Sequence, residues 1–336
     1  MEGRSQAGRD GAWGAKLLGG LRYLYVTSSH RSRVTLLCAV SERGEFGRYA
    51  LPLPVTPRCA LIGGRGAYMI PPTDTSPLLE FSRFGDSLIA QTRELVLSRW
   101  NQSSIHFELK EDQTPVSEVD LRCEELVRRL VRQAFPSHGI VGEEFGWENR
   151  GAEFTWTIDP IDGTQNLINR IPTFGTILGL LHKDQPIMGW IDHPVLGDSL
   201  CGGVGVGTFL NGTKVTLNDI PESGLTPNDI IATNCPATFA RGGHLAILDH
   251  ILRFHPHLRI YYDVYSHSLA IRGSLAVMVE YNLKIWDLSA TKALILGAGG
   301  AFQELGSEEL PDGITLLHAA FGKKQAVNLM TKTLLG

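Results

Sequence analysis

The sequence predicts an α+β fold built of packed layers. Stretches with helical spacing of apolar residues and shorter strand-like runs are mixed along the chain. No βαβ repeat orders them, which argues against a doubly wound parallel sheet. Hydrophobic residues make up 43% of the 336 and charged residues 20%. A sizeable core is therefore available, and a globally disordered chain is not expected.

The elements follow in order from residue 73. Leu78, Leu79, Phe81, Phe84, Leu88, Ile89, Leu95 and Val96 recur at helical spacing and predict an amphipathic helix over 76–100. Ser117-Glu118-Val119-Asp120 has the form of a capping box. It opens a second helix, along which Leu126, Val127, Leu130, Val131 and Ala134 make one apolar stripe and which Pro136 ends. Gly139-Ile140-Val141-Gly142 reads as a short strand with Glu143 and Glu144 at its end. Residues 154–159 read as the next strand, leading into a turn from Asp159 to Thr164. Strand-like runs follow at 173–182, 186–192 and 199–210, with Asn211-Gly212 as a hairpin signal. Helices are expected over 240–254 and 267–281, around a strand near 258–262. Two more are expected over Leu288–Leu296 and near 323–335.

Residues 1–72 read differently. They are rich in Gly, Arg and Ser, carry no acid between Asp10 and Glu42, and are interrupted by Pro52, Pro54 and Pro57. An organelle transit peptide has such a composition. A bacterial secretory signal needs a longer apolar core than Leu17–Val26, and Met69 is an alternative start. The preferred reading is a poorly structured extension over 1–72, then one catalytic domain over 73–336 in a cytoplasmic protein.

Charge is uneven. Residues 1–68 hold ten basic and four acidic residues, leaving 21 basic and 31 acidic in the rest of a chain whose net charge is -4. An acidic body suits cation binding and argues against a nucleic-acid partner. The five cysteines (Cys38, Cys59, Cys123, Cys201 and Cys235) are odd in number and contain no C-x-x-C. That fits neither a disulfide framework nor a zinc knuckle and points to a reducing compartment. No run has the apolar length of a membrane span, so no membrane partner is expected.

The most informative stretch is Trp156-Thr157-Ile158-Asp159-Pro160-Ile161-Asp162-Gly163-Thr164. Hard divalent cations need clustered oxygens, and a phosphate needs backbone N–H groups and a hydroxyl. Pro160 fixes φ and stiffens the segment, so Asp159 and Asp162 can face one point, with the Ile161 carbonyl between them as a neutral ligand. Gly163 permits close approach by a phosphate, and a helix start after it aims N–H groups there. A two-metal phosphatase needs carboxylates from several elements, with ions roughly 4 Å apart. Glu143, Glu144 and Asp287 are the further candidates. Taken alone, Asp-Pro-x-Asp-Gly is as often an Asx-type loop. Asp120 and Asp287 are also plain helix-terminus residues on local criteria.

Gly142-Glu143-Glu144, then Asp159 to Thr164, then Trp286-Asp287 resemble the ordered motif set of the inositol monophosphatase superfamily. The resemblance runs from about Leu78 to the C-terminus. It implies a layered αβαβα sandwich of the inositol monophosphatase/fructose-bisphosphatase type, Mg²⁺ dependence with two or three ions, hydrolysis of a small phosphomonoester, and a homodimer. It further implies that Glu143, Asp159, the Ile161 carbonyl, Asp162 and Asp287 hold the metals. Asp120 and Thr164 would orient the attacking water, and Glu144 would be a second acid beside the ions. Gly163 and Thr164 would receive the phosphate.

Longer strings resemble the histidinol-phosphatase branch: Gly142 to Gly146, Pro172 to Thr176, Ile191 to Gly197, and Arg259 to His267. They imply substrate contacts at Arg259, Asp263 and Tyr265, an acid near the leaving group suiting a cationic amino alcohol. Asp162 is a further substrate candidate, and Glu280 aligns with a glutamate that contacts the polyol in inositol phosphatases. His267 stands where that branch has tyrosine, and Tyr262 where it has a small residue. The expected substrate is histidinol phosphate, in histidine biosynthesis. The alternatives are inositol-1-phosphate, a broad range of polyol and sugar phosphates, and a catalytically idle binding or regulatory protein.

Overall fold

Apolar residues divide among separate cores, and those cores dictate the layers. The computed structural model describes residues 11–18, 21–28, 34–40, 77–255, 257–310 and 314–335. Residues 1–55 and 56–336 are two units. In the first, β1 (Gly11–Leu18), β2 (Leu21–Ser28) and β3 (Val34–Val40) pair as an antiparallel meander. Tyr23-Leu24-Tyr25-Val26 and Val34-Thr35-Leu36 are aromatic and β-branched runs of the kind strands favour. Met69 and the proline-rich stretch lie outside the described residues.

In the second unit, α1 (Pro77–Trp100) is followed by the hairpin β4 (Phe107–Leu109) and β5 (Pro115–Ser117), then α2 (Glu118–Ala134). The large sheet collects β6 (Gly139–Gly142), β7 (Gly146–Glu148), β8 (Phe154–Asp162), β9 (Gly175–His182), β10 (Gln185–His193), β11 (Asp198–Gly203), β12 (Gly207–Leu210) and β13 (Thr213–Val215), with α3 (Thr164–Ile168) after β8. Its order is β13-β12-β11-β10-β9-β8-β6-β7, antiparallel except for β6 against β8. Asn211 and Gly212 both take positive φ between paired Leu210 and Thr213, the two-residue turn their sequence favours.

The smaller sheet gathers β14 (Ile231–Thr233), β15 (Leu258–Ile260), β16 (Val277–Leu283), β17 (Ala301–Glu309) and β18 (Thr315–Gly322), in the order β15-β14-β16-β18-β17. Its helices are α4 (Pro236–Arg241), α5 (Leu245–Phe254), α6 (Asp263–Ile271), α7 (Ile285–Gly297) and α8 (Lys324–Leu335).

Among the described residues, three of the four buried clusters bind the five layers together. Phe81, Leu88, Ile89, Val127, Val131, Trp156 and Trp190 join α1 and α2 to one face of the large sheet. Ile177, Ile191, Leu288, Ala290, Leu294 and Phe321 fill the space between the sheets, where α6 and α7 lie. Ile231, Phe239, Ile251, Val277, Val279 and Met330 bind α4, α5 and α8 to the outer face of the small sheet. This is the αβαβα order.

The expected helix over 267–281 is corrected. α6 stops at Ile271, Gly273 takes φ +77, and Val277 to Tyr281 form a strand buried on both faces. Such a strand shows no period-2 alternation, so its apolar run passes for helix. The helix expected over 240–254 is broken at Gly242-Gly243 into α4 and α5. No described helix is long and apolar enough to cross a membrane.

Candidate active site

The candidate metal-site acids stand near the ends of elements. Asp159 and Asp162 lie in the last turn of β8, which extends through the segment expected to be a turn. The register against β9 breaks between them, so both carboxylates leave the regular alternation. Gly163 takes φ +92 as the residue before α3, and Thr164 opens that helix. Asp120 is the third residue of α2. Its Oδ2 accepts from the backbone N–H (3.0 Å) and the hydroxyl of Ser117, the capping box expected from the sequence. Asp287 is likewise the third residue of α7, and its Oδ2 accepts from Lys284 N at 2.7 Å. Glu143 and Glu144 follow β6.

These positions converge. Asp159, Asp162 and Asp287 each place a carboxylate oxygen within 4.8 Å of the others. Burial, then the charges of Glu143, Asp162, Asp287 and Asp120, push the Asp159 pKa well up. Burial, then Asp263 and Asp287, does the same to Asp162. Asp287 is pushed up to about 7, chiefly by burial. Asp159 Oδ1 is buried without a hydrogen-bond partner. An all-oxygen set of acids that repel one another, one of them with an orphaned oxygen, fits a hard divalent cation.

Asp120 joins this group through Thr164, whose Oγ1 is 2.9 Å from Asp120 Oδ1 and 3.0 Å from the Ile161 carbonyl. Burial raises the Asp120 pKa to about 6 against the lowering pull of Ser117 and Thr164. Glu144 is raised to about 7 by burial and then by Glu143. The sequence reading missed Lys110, on the β4–β5 hairpin. Its Nζ donates to Glu143 Oε1 (3.0 Å) and Glu144 Oε1 (2.8 Å). Burial opposes its charge, but the two glutamates outweigh that and raise its pKa. The hairpin could have been suspected from Asp112-Gln113-Thr114-Pro115, but nothing local says where its lysine reaches.

The expected substrate residues are only partly brought together. Asp263 opens α6 with φ +55, accepts from Asn166 Nδ2 at 3.0 Å, and is raised to about 6 by burial and then Glu280. The next N–H, of Val264, donates to Asp162 Oδ1 at 3.1 Å. Glu280 is buried in β16, with Oε2 2.8 Å from His267 Nε2, while His267 Nδ1 pairs with Thr291 Oγ1 at 2.7 Å. Burial works against the His267 cation, but Glu280 more than offsets it and the pKa is raised. The departure from tyrosine at 267 therefore has a partner. Tyr265 is half-buried, its ring edge-on to His193. Arg259 is not brought in. It is exposed on β15, the outer strand of its sheet, and donates to the Leu258 carbonyl. Among the described residues no contact joins it to Asp263, Tyr265 or Glu280.

The profile of the inositol monophosphatase family matches residues 78–329. The chain belongs to that family. Relatives of the chain are named phosphatases, consistent with a phosphoric monoester hydrolase, and the matched region spans every site acid described above. A bifunctional phosphatase of Arabidopsis thaliana, IMPL2, described as chloroplastic, is 32% identical over 67% of this chain and 64% of its own length. A histidinol-phosphatase of Chlorobaculum parvum is 30% identical over 69% of this chain and 89% of its own. Among solved structures, an inositol monophosphatase from Zymomonas mobilis superposes with a TM-score of 0.66 at 24% identity, over 78% of this chain and all of that one. That likeness concerns the fold.

Proposed function

We propose that the chain is a Mg²⁺-dependent phosphomonoesterase whose substrate is histidinol phosphate. The observation that carries the metal-dependent reading is Asp159, an enclosed carboxylate with an orphaned oxygen inside a group of acids whose mutual repulsion a cation would relieve. In this reading Glu143, Asp159, Asp162, Asp287 and the Ile161 carbonyl hold two or three ions. When bound, the ions neutralise phosphoryl charge and lower the pKa of water.

The chain itself holds and moves the proton. With the Thr164 hydroxyl donating to Asp120 Oδ1, the Thr164 oxygen is left to accept from a water, and Asp120 receives the proton passed through it. A pKa of about 6 keeps Asp120 ionised at neutral pH and still basic. Gly163, Thr164 and the open N–H groups of the first turn of α3 receive the phosphoryl oxygens. Glu144, tied with Glu143 to Lys110, is the second acid beside the ions.

Support for a cationic leaving group comes from Asp263 and Glu280, two enclosed acids on the α6 side of the site, and from the histidinol-phosphatase of Chlorobaculum parvum. Tyr265 flanks them; Arg259 contributes nothing within one copy of the chain. The homodimer, the cytoplasmic location and the place in histidine biosynthesis are proposed on family resemblance alone. Phosphomonoester hydrolysis demands about 20 kcal/mol or more of barrier lowering, so loss of one central ligand is decisive. Asp159→Asn is expected to abolish Mg²⁺-stimulated phosphate release while the circular dichroism spectrum is kept; unchanged turnover would refute the site. For the substrate, kcat/KM for histidinol phosphate is expected to exceed that for inositol-1-phosphate, and the reverse preference would overturn that choice.

A further inference from the structure

α2 carries a buried charged stripe of which the chemistry above uses only Asp120. Asp120, Glu124 and Arg128 lie four apart on one face of the helix, and none is more than 4% exposed. Buried charges are retained only when paired and fully hydrogen-bonded. Glu124 Oε1 accepts from Arg128 Nε at 2.8 Å. Its remaining capacity goes to the backbone that follows Glu143: Oε2 accepts from Glu144 N (2.8 Å) and Oε1 from Phe145 N (3.2 Å). Arg128 completes the grip, donating to the Gly146 carbonyl and to Glu148 Oε2 at 3.3 Å.

The approach is so close that a methyl group on Gly142 would overlap the Glu124 carboxylate. One helix thus carries Asp120 at its start and, one turn later, the group that fastens the Glu143–Glu144 turn. A scaffold contact would serve as well anywhere along β6 or β7; this one falls on the two N–H groups next to the candidate metal ligand.

We propose that Glu124, locked by Arg128, is a positioning residue that sets the Glu143–Glu144 turn at its working distance from Asp120 and Asp159. Glu124 touches neither substrate nor ion; it acts through the backbone of residues 144 and 145. The inference rests on the metal-dependent reading of the site, so its test measures Mg²⁺ binding directly.

The test uses the full chain carrying Glu124→Gln, which keeps size but can no longer accept both N–H groups and the guanidinium as an anion. Glu124→Asp, which keeps the charge and withdraws the carboxylate by one methylene, is the second variant. Mg²⁺ is titrated calorimetrically into metal-stripped protein, alongside melting of the metal-free forms and kcat at saturating Mg²⁺. The expected result is an apparent Mg²⁺ dissociation constant raised about 10-fold or more in the Gln variant, in the range known for groups that orient metal ligands. The metal-free melting curve stays cooperative, and excess Mg²⁺ partly restores kcat. Unchanged Mg²⁺ affinity in a folded variant would overturn the proposal, as would failure of both variants to fold, which would make the pair plain scaffold. Absence of Mg²⁺ binding by the parent chain would instead overturn the metal-dependent reading.

Discussion

Asp159 and Asp120 are both enclosed carboxylates, and their surroundings give them opposite tasks. Asp120 is supplied with donors from Ser117 and Thr164, so it can carry charge without a cation. Asp159 has an oxygen with no donor and acids on every side. The difference predicts different mutant behaviour. Asp120→Asn keeps the shape but loses the base, so kcat is expected to fall by about 10²–10⁴ with Mg²⁺ affinity nearly intact, as steady-state kinetics and calorimetry would read. Turnover close to the parent's would remove Asp120 from the proton path. At this scale the sequence was legible wherever chemistry is local: Asp159 to Thr164 sit in one string. Lys110, Glu124 and the His267–Glu280 pair were not, because each acts on residues distant in the chain, and no periodicity records which partner a long side chain will find.

At the scale of elements, helix starts do most of the positioning. Asp120 and Asp287 each occupy the third position of a helix, where a carboxylate accepts the capping N–H and meets the positive end of the dipole. The same local signals that allowed a purely structural reading of these residues are how the fold steadies their charge. α7 must also come close to the large sheet, and glycine makes that possible. A Cβ on Gly189 of β10 would lie 2.6 Å from the Cα and carbonyl oxygen of Ala290. Gly189→Ala is therefore expected to lower stability by about 1–3 kcal/mol through overpacking, read as a lower midpoint in urea; an unchanged midpoint would show that α7 can retreat freely. Elements with one solvent-facing side, such as α1 and α2, were predicted nearly to the residue. β16 was misread as helix because it is buried on both faces, and β14, β17 and β18 were not anticipated at all. β14, β16 and the inner part of β18 are buried and lose the alternation that identifies a strand, whereas β17 is largely exposed and its Glu-, Gly- and Ser-containing run carries no apolar pattern.

Across the whole molecule, the acid cluster links stability to pH. Folding raises the pKa of Asp287 to about 7 from 3.8, and raises Asp159 and Asp162 as well. In the window between the unfolded and folded values the native state binds more protons than the unfolded one, so unfolding free energy falls as pH rises. The contribution is complete below the unfolded pKa near 3.8 and lost on passing about 7. Metal-stripped protein is expected to melt at a lower temperature at pH 8 than at pH 5.5, and saturating Mg²⁺ to reverse the order, since a ligand that binds only the native state stabilises it. A metal-free melting temperature that climbs with pH would count against the cluster as described.

The site's ligands enter the chain far apart, from Glu143 to Asp287, and the last arrives on α7, between the two sheets. During synthesis a chain that has not yet produced α7 holds β8 and its acids with nothing to close the pocket over them. In the metal-dependent reading, cation capture would then follow the docking of α7 and would not guide the earlier steps. Contacts of such long range form late. A chain truncated before α7 would present the Asp159 string without Asp287, so in the metal-dependent reading retention of an ion would report that α7 has docked.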